Sequence, residues 1–342
     1  MFKLIRALTL TTLLSMCCAP ANAAVSFCVN SVASLQNALT VSQSDGDDDY
    51  ISVVAGTYAL NAGLTFVSNE DYNLILVGGF DPTCNDSHAG ETLLDGQHAV
   101  RPLYVAIGSG NLLIQRISFI AGFSPNAGGG LVAVSQSGNV NLSYNQFVAN
   151  HSTSTAGALY ARSYSGALFL FGNLAYANHG NEVGGFIVEQ DVGEGYLINN
   201  TLVANTSDTL ADPAGLAAIG SAHFRISNNI VWNNPPAGGS DFATTSAHSR
   251  RSNDIGVVAA GTTPDLLVGE QSIAPQFVDC GFLCFGFEPV RTSSLVDAGS
   301  DAALSEAGSN FVDLAFRPRT MGLHVDIGAY ENEVLFLDGF DG

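Results

Sequence analysis

Between residues 114 and 234, apolar and polar positions alternate in short runs that recur at a fixed interval. Four segments line up: Asn145-Gln-Phe-Val-Ala-Asn150, Asn173-Leu-Ala-Tyr-Ala-Asn178, Asn200-Thr-Leu-Val-Ala-Asn205 and Asn229-Ile-Val-Trp-Asn-Asn234. Ile117-Ser-Phe-Ile-Ala-Gly122 is an earlier, degenerate copy. The starts lie 28, 28, 27 and 29 residues apart, a regularity that chance rarely produces. A second element keeps the same interval: small residues precede an alternating strand at Leu131, Leu159, Phe186 and Leu216. Each unit thus holds at least two short strands of period two, joined by Gly, Asn and Ser turns, and helical spacing is missing.

A unit of this length cannot bury its apolar face alone, but stacked units share a continuous core. The pattern predicts an all-β, right-handed parallel β-helix. Coils in register sit about 4.8 Å apart, so equivalent residues form columns. Ile114, Leu142, Leu170, Leu197 and Ile226 form one, and Leu131, Leu159, Phe186 and Leu216 another. Both should face inward, at about 1.5–3 kcal/mol for each fully buried side chain. Asparagine fills two further columns, Asn145, Asn173, Asn200, Asn229 and Asn150, Asn178, Asn205, Asn234. These read as structural turn ladders, since Asn tolerates the left-handed conformation and bonds nearby backbone, and stacked amides can bond from coil to coil.

Outward positions after the Gly-rich corner align as Val134, Arg162, Glu189, Ile219 and, two residues on, Gln136, Tyr164, Asp191, Ser221. Arg162, Tyr164, Glu189 and Asp191 are therefore expected to cluster on one face. Two carboxylates with an Arg and a Tyr suit sugar contact or acid–base work. The preferred reading is plainer, a surface Arg162–Glu189 salt bridge that contributes little.

The ends differ from the middle. Ser31 to Gln43 has apolar residues at Val32, Leu35, Ala38 and Leu39, which fits a short capping helix over an otherwise open sheet end. The run Asp45-Gly-Asp-Asp-Asp49 reads as a solvated acidic turn rather than a Ca²⁺ site, because it lacks the ligand spacing of an EF-hand loop. Residues 24–100 are assigned to this cap and the first coils, and 101–234 to the regular coils. Residues 235–334 hold a long surface loop over 235–252 and closing coils, and 335–342 form a tail.

Residues 1–23 read as a secretory signal: Lys3 and Arg6, an apolar stretch from Ala7 to Met16, and a small-residue cleavage site at Ala21-Asn22-Ala23. Cys17 offers a lipoprotein reading, disfavoured by the bulky Met16 before it. Removal of the signal leaves nine basic residues, all arginine, against 31 acidic ones, a net charge of −22. Such a surface argues against nucleic acid as a partner and against anionic lipid. Cys28, Cys84, Cys280 and Cys284 remain, an even set suited to an oxidising compartment. Of the three possible pairings the favoured one is Cys28–Cys84 with Cys280–Cys284, each local to one end of the chain; metal binding is the alternative, disfavoured because neither pair has a CxxC spacing.

Near the C-terminus, Ala274-Pro-Gln-Phe-Val-Asp279, Ser293-Ser-Leu-Val-Asp-Ala-Gly299, Arg319 and Val325-Asp-Ile-Gly-Ala-Tyr-Glu331 resemble the closing coils of bacterial β-helix proteins. These are the pectin-lyase-like, choice-of-anchor Q or polymorphic-outer-membrane-like exported proteins. Cys28, Leu35-Gln-Asn-Ala-Leu39, Gly56-Thr-Tyr58, Gly78-Gly-Phe80 and Cys84 are similar to the start of the same family. Leu335-Phe-Leu-Asp-Gly-Phe-Asp341 looks like a tail found on some exported Gram-negative proteins. The resemblance implies a secreted or cell-surface protein, and it brings polysaccharide lyases and hydrolases into view, yet fold does not imply function. A galacturonase-type site would need Gly-His-Gly and Arg-x-Lys, and neither occurs. The usual lyase equipment includes a lysine or arginine close to the sugar carboxylate; the chain has no lysine after Lys3, and arginine could substitute. No HxH, HExxH or Gly-x-Ser-x-Gly motif occurs. The expectation is a non-catalytic adhesion or scaffold protein with no cofactor or metal, whose partner is an extracellular polysaccharide or cell-surface component. A polysaccharide lyase or glycoside hydrolase is the alternative.

Overall fold

Alternating short strands with a corner every few residues cannot form a flat sheet, so the chain winds. The computed structural model describes residues 25–209, 212–234, 239–278, 286–307 and 312–332. They form four sheets of ten, eight, seven and four strands, and every strand-to-strand pairing is parallel. The structure is the all-β parallel β-helix, with the right-handed sense that parallel crossovers adopt. One coil shows the plan. Leu131–Ser135 lies in the seven-stranded sheet, Val140–Ser143 in the ten-stranded, Gln146–Val148 in the eight-stranded and His151–Ser152 in the four-stranded. Leu159–Ser163 then starts the next coil, paired residue for residue with Leu131–Ser135.

The predicted columns form as expected. Ile114, Leu142, Leu170, Leu197 and Ile226 are register partners in turn, and all are buried. Leu131, Leu159, Phe186 and Leu216 make a second buried column. Between them Phe119 and Phe147 stack at 5.1 Å, and Phe186 meets Phe147 edge-on at 5.2 Å.

Both asparagine columns are buried ladders that bridge three coils. Asn173 Oδ1 accepts from Asn145 N at 2.9 Å and from Asn145 Nδ2 at 3.3 Å. Its Nδ2 donates to Leu142 O at 2.8 Å and to Asn200 Oδ1 at 2.9 Å. Asn178 repeats this arrangement between Asn150, Phe147 and Asn205. The sharp corners thereby gain hydrogen bonds that the strand ladders do not supply. The reason given for Asn needs correction. The left-handed residue is the one before it, Tyr144, Gly172, Asn199 or Asn228 at one corner and Ala149, Ala177, Ala204 or Asn233 at the other. The ladder Asn is there for its buried amide. Both ladders also run further than expected: Asn253 follows Asn229, and Asp241 Oδ1 receives Asn234 N and Nδ2.

The capping helix runs Val32–Val41, with Ser31 as N-cap in a capping box with Ser34, and Leu35, Ala38 and Leu39 are buried beneath it. Cys28 and Cys84 are disulfide-bonded, which ties Val25–Val29 to the loop after Leu74–Phe80. Cys280–Cys284, the signal and the tail lie outside the described residues. In the acidic run, Asp48 Oδ1 accepts from Asn73 N and Nδ2, and Asn73, Asn111 and Asn139 continue as a third, exposed ladder. Asp49 is buried, and that burial lifts its pKa to about 6.

Within the range 235–252, expected to be a loop, the described residues Ser240–Thr244 and His248–Arg251 are strands that continue the seven- and ten-stranded sheets. They escaped the pattern because the coil shortens and Arg250, buried, takes the inward place above Ile226. Glu270 Oε2 stands 3.3 Å from Arg250 Nε, so an ion pair plugs this end of the core. The strands end at Leu266–Val268. Residues 286–332, as described, add no strand to the four sheets and instead form an arm over the outer side of the eight-stranded sheet. Phe287, Leu295, Leu314, Ile327 and Ala329 pack there on Leu174, Val203 and Ile230.

The arm holds on through the Asp-Ile-Gly-Ala-Tyr-Glu segment. Asn199 Nδ2 donates to Asp326 O and Gly328 O, and Ala329 N donates to Thr201 Oγ1 at 2.9 Å. Buried Arg319 donates to Gly328 O and Ala329 O, each at 2.8 Å, and to Glu331 Oε1 at 3.3 Å. Burial raises Glu331 to about 8 and Asp326 to about 6, against the opposing pull of Arg319.

Two outcomes follow from this architecture. Asn173→Ala strands several buried donors and acceptors at about 1–3 kcal/mol each, so urea unfolding should show a loss of at least about 3 kcal/mol, whereas exposed Asn139→Ala should stay within about 0.5 kcal/mol. The second concerns pH. A raised carboxyl pKa means that the folded arm holds protons the unfolded arm has released, so its stability is full below the ordinary glutamate value of 4.5 and falls as pH rises toward about 8. Amide exchange at Ile327–Ala329 should therefore speed up across that window beyond the intrinsic rate, and Glu331→Gln should flatten the upper part of the trend.

Candidate functional site

The regular columns place the four predicted residues together on the outer face of the seven-stranded sheet. Arg162 and Glu189 are register partners on adjacent strands, and Asp191 lies two residues beyond Glu189. Arg162 Nη1 is 3.2 Å from Glu189 Oε1, and Nη2 is 2.6 Å from Asp191 Oδ2. The guanidinium carbon sits 3.7 Å from the centre of the Tyr164 ring, a close cation–π contact. One arginine thus bridges two carboxylates and stacks on an aromatic. With side-chain exposures of 21% for Arg162, 20% for Glu189 and 34% for Asp191, the pairs are screened by solvent and add little stability.

Tyr160 belongs to the cluster and was missed. Its hydroxyl donates to Glu189 Oε2. Its ring rests beside Ala156, Val183, Ile187 and Ala217, a small apolar patch outside the main core. Burial and the Glu189 bond lift the Tyr160 phenol to about 12. The same alternation that exposed Arg162 places Tyr160 two residues earlier on that face, so the signal was present in the sequence.

The ten-stranded sheet carries another cluster that the sequence did not announce. Phe169 and Tyr196 stack at 4.7 Å with planes 6° apart. Tyr196 donates to Glu194, and Arg225 reaches Glu194 at 3.0 Å and Glu306 at 3.3 Å. Glu306 sits on the short helix Asp301–Ala307, whose Ala303 packs on Phe171 and Ile198. On the four-stranded sheet, winding brings His151 and His179 to 4.9 Å ring to ring, although 28 residues separate them. His179 Nδ1 is 2.9 Å from Thr206 Oγ1, and burial together with His179 lowers the His151 pKa. Among the described residues no group of three or more His, Cys, Asp or Glu is arranged to hold a metal ion, and no helix is long and apolar enough to cross a membrane.

The Tyr160–Glu189 bond gives a direct check on this geometry. Glu189→Gln removes the negative charge that opposes phenolate formation, so the Tyr160 titration, followed by ultraviolet phenolate absorbance, should move down from about 12 yet stay above the ordinary 10.0, because burial is the larger cause.

No family model, no curated protein and no solved structure matches this chain. The parallel β-helix is shown by the strand pairing itself.

Proposed function

We propose that the chain is an exported, non-catalytic β-helix that contacts an extracellular polysaccharide or cell-surface component through the outer face of the seven-stranded sheet. One observation carries this reading: Arg162 is clamped between Glu189 and Asp191 and stacked on Tyr164. These groups are held in a fixed, partly solvated array on a rigid wall, which suits contact. Both carboxylates already accept hydrogen bonds or ion pairs from Arg162 and Tyr160, so neither is left poised as a lone acid or base. The signal-like residues 1–23 and the likeness to exported surface proteins support placement outside the cell. A strongly acidic chain favours neutral over polyanionic glycans unless a cation mediates.

The test is binding and turnover measured together. On a glycan array the purified protein should bind, and Arg162→Ala with Glu189→Ala should reduce that signal several-fold. Incubation with a polysaccharide panel, with and without Ca²⁺, should yield neither unsaturated uronate absorbance nor new reducing ends. Either product would overturn the non-catalytic reading in favour of a lyase or a hydrolase.

A further inference from the structure

The arm covers only part of the outer side of the eight-stranded sheet. Outward residues of that sheet follow one another as Leu93, Ser118, Gln146, Leu174, Thr201 and Ile230, with Ile120, Val148, Tyr176 and Val203 in the next row. Leu174, Val203 and Ile230 lie under the arm, and the Thr201 hydroxyl accepts from Ala329 N. The earlier coils carry the same rows into a groove of about 650 Å³, which spans the coils of Leu93, Ser118 and Gln146 and ends against Leu314, Ala315 and Tyr330 of the arm. Leu93, Ile120, Val148 and Leu314 make it largely apolar. Ser118, only 6% exposed, and Gln146 line its floor, and neither side chain has a hydrogen-bond partner among the described residues. A nearly buried hydroxyl without a partner is costly, so its place in the floor marks a position for an occupant that can bond it.

The course of the arm points at this groove. Gly328 N donates to Asn228 O, Ala329 N to Thr201 Oγ1 one coil earlier, and Tyr330 lines the groove beside Gln146, two coils earlier still. Asn332 is buried and held by Asp326 and by Pro289 O. The sequence goes on as Glu333-Val-Leu-Phe-Leu-Asp338, an apolar run of four that gains free energy by burial. From Gln146 to Leu93 is two coils, about 9.6 Å, which about three residues of extended chain cover at about 3.3 Å each. We infer that residues 333–337 dock in this groove and continue the arm over Gln146, Ser118 and Leu93. In an extended chain Val334 and Phe336 share the face of Tyr330, which seats the Phe336 ring among Leu93, Ile120 and Val148. Backbone groups of the segment bond Ser118 Oγ and the Gln146 amide, as Ala329 N bonds Thr201. Glu91, the charged residue of the lining, is exposed and stays in solvent at the rim. The groove lies on a different sheet from Arg162 and does not depend on that cluster.

The test uses the full chain with labelled Ile, Leu and Val methyl groups. Nuclear Overhauser contacts should join the Phe336 ring to the Ile120 and Val148 methyls. Phe336→Ala should remove them and speed proteinase K cleavage within residues 333–342 by about tenfold, since cleavage tracks the population of the undocked segment. Phe336→Leu should keep the rate near that of the parent chain. Val148→Arg, which sets a charge in the groove wall, should speed cleavage as Phe336→Ala does, while the buried ladder amides of Asn173 stay slow to exchange and so report an intact fold. Absence of the contacts, or cleavage as fast in the parent as in Phe336→Ala, overturns the inference. Contacts that arise only between a labelled and an unlabelled copy also overturn it, and would assign the groove to a second copy of the chain.

Discussion

The buried asparagine amide is the interaction on which the rest depends. A β-helix coil turns sharply between the ten- and eight-stranded sheets, and at that corner strand pairing alone leaves backbone groups without partners. Asn145, Asn173, Asn200, Asn229 and Asn253 supply them, each amide accepting from the coil before and donating to that coil's carbonyl, and the first four donating also to the next amide. Because the amide has two donors and an acceptor in fixed geometry, the coils can stack only in register. Register then decides everything outside: which apolar residues share a column, and which polar ones meet on a face.

That dependence explains how much was legible in the sequence. Where the interval stays near 28 residues, period-two alternation and recurring Asn were enough to place the columns and to bring Arg162, Tyr164, Glu189 and Asp191 together. Where the coil shortens, the same physics continues without the spacing. Asn253 follows Asn229 after 24 residues, and Asp241 ends the second ladder only seven residues past Asn234. Buried Arg250 in an apolar column reads as surface until Glu270 is seen beside it. Relations between segments that are neither periodic nor alike, such as the ion pairs from Glu194 through Arg225 to Glu306, cannot be read from one dimension. The two histidines also met only through winding.

The arm shows a different division of labour. Asp326, Glu331 and Arg319 drew notice as motif residues, and motif residues on this fold invite a catalytic reading. Their positions give a structural one: Arg319 binds carbonyls of its own segment, while Asn199 and Thr201 of the coils hold the same segment from below. The arm covers the outer side of the eight-stranded sheet, reaches over the edge of the ten-stranded sheet through the helix Asp301–Ala307, and leaves the face bearing Arg162 open. A rigid wall that presents an ordered polar and aromatic array on its open face is suited to contact along a polymer.

Side-chain amide hydrogen exchange, read by NMR, tests the central claim most directly. If the buried ladders hold the coils in register, the Nδ2 protons of Asn173 and Asn178 should exchange only with global unfolding, far more slowly than those of exposed Asn139. Exchange of the ladder amides as fast as that of Asn139 would contradict the account, because the corners would then be held by something other than these bonds.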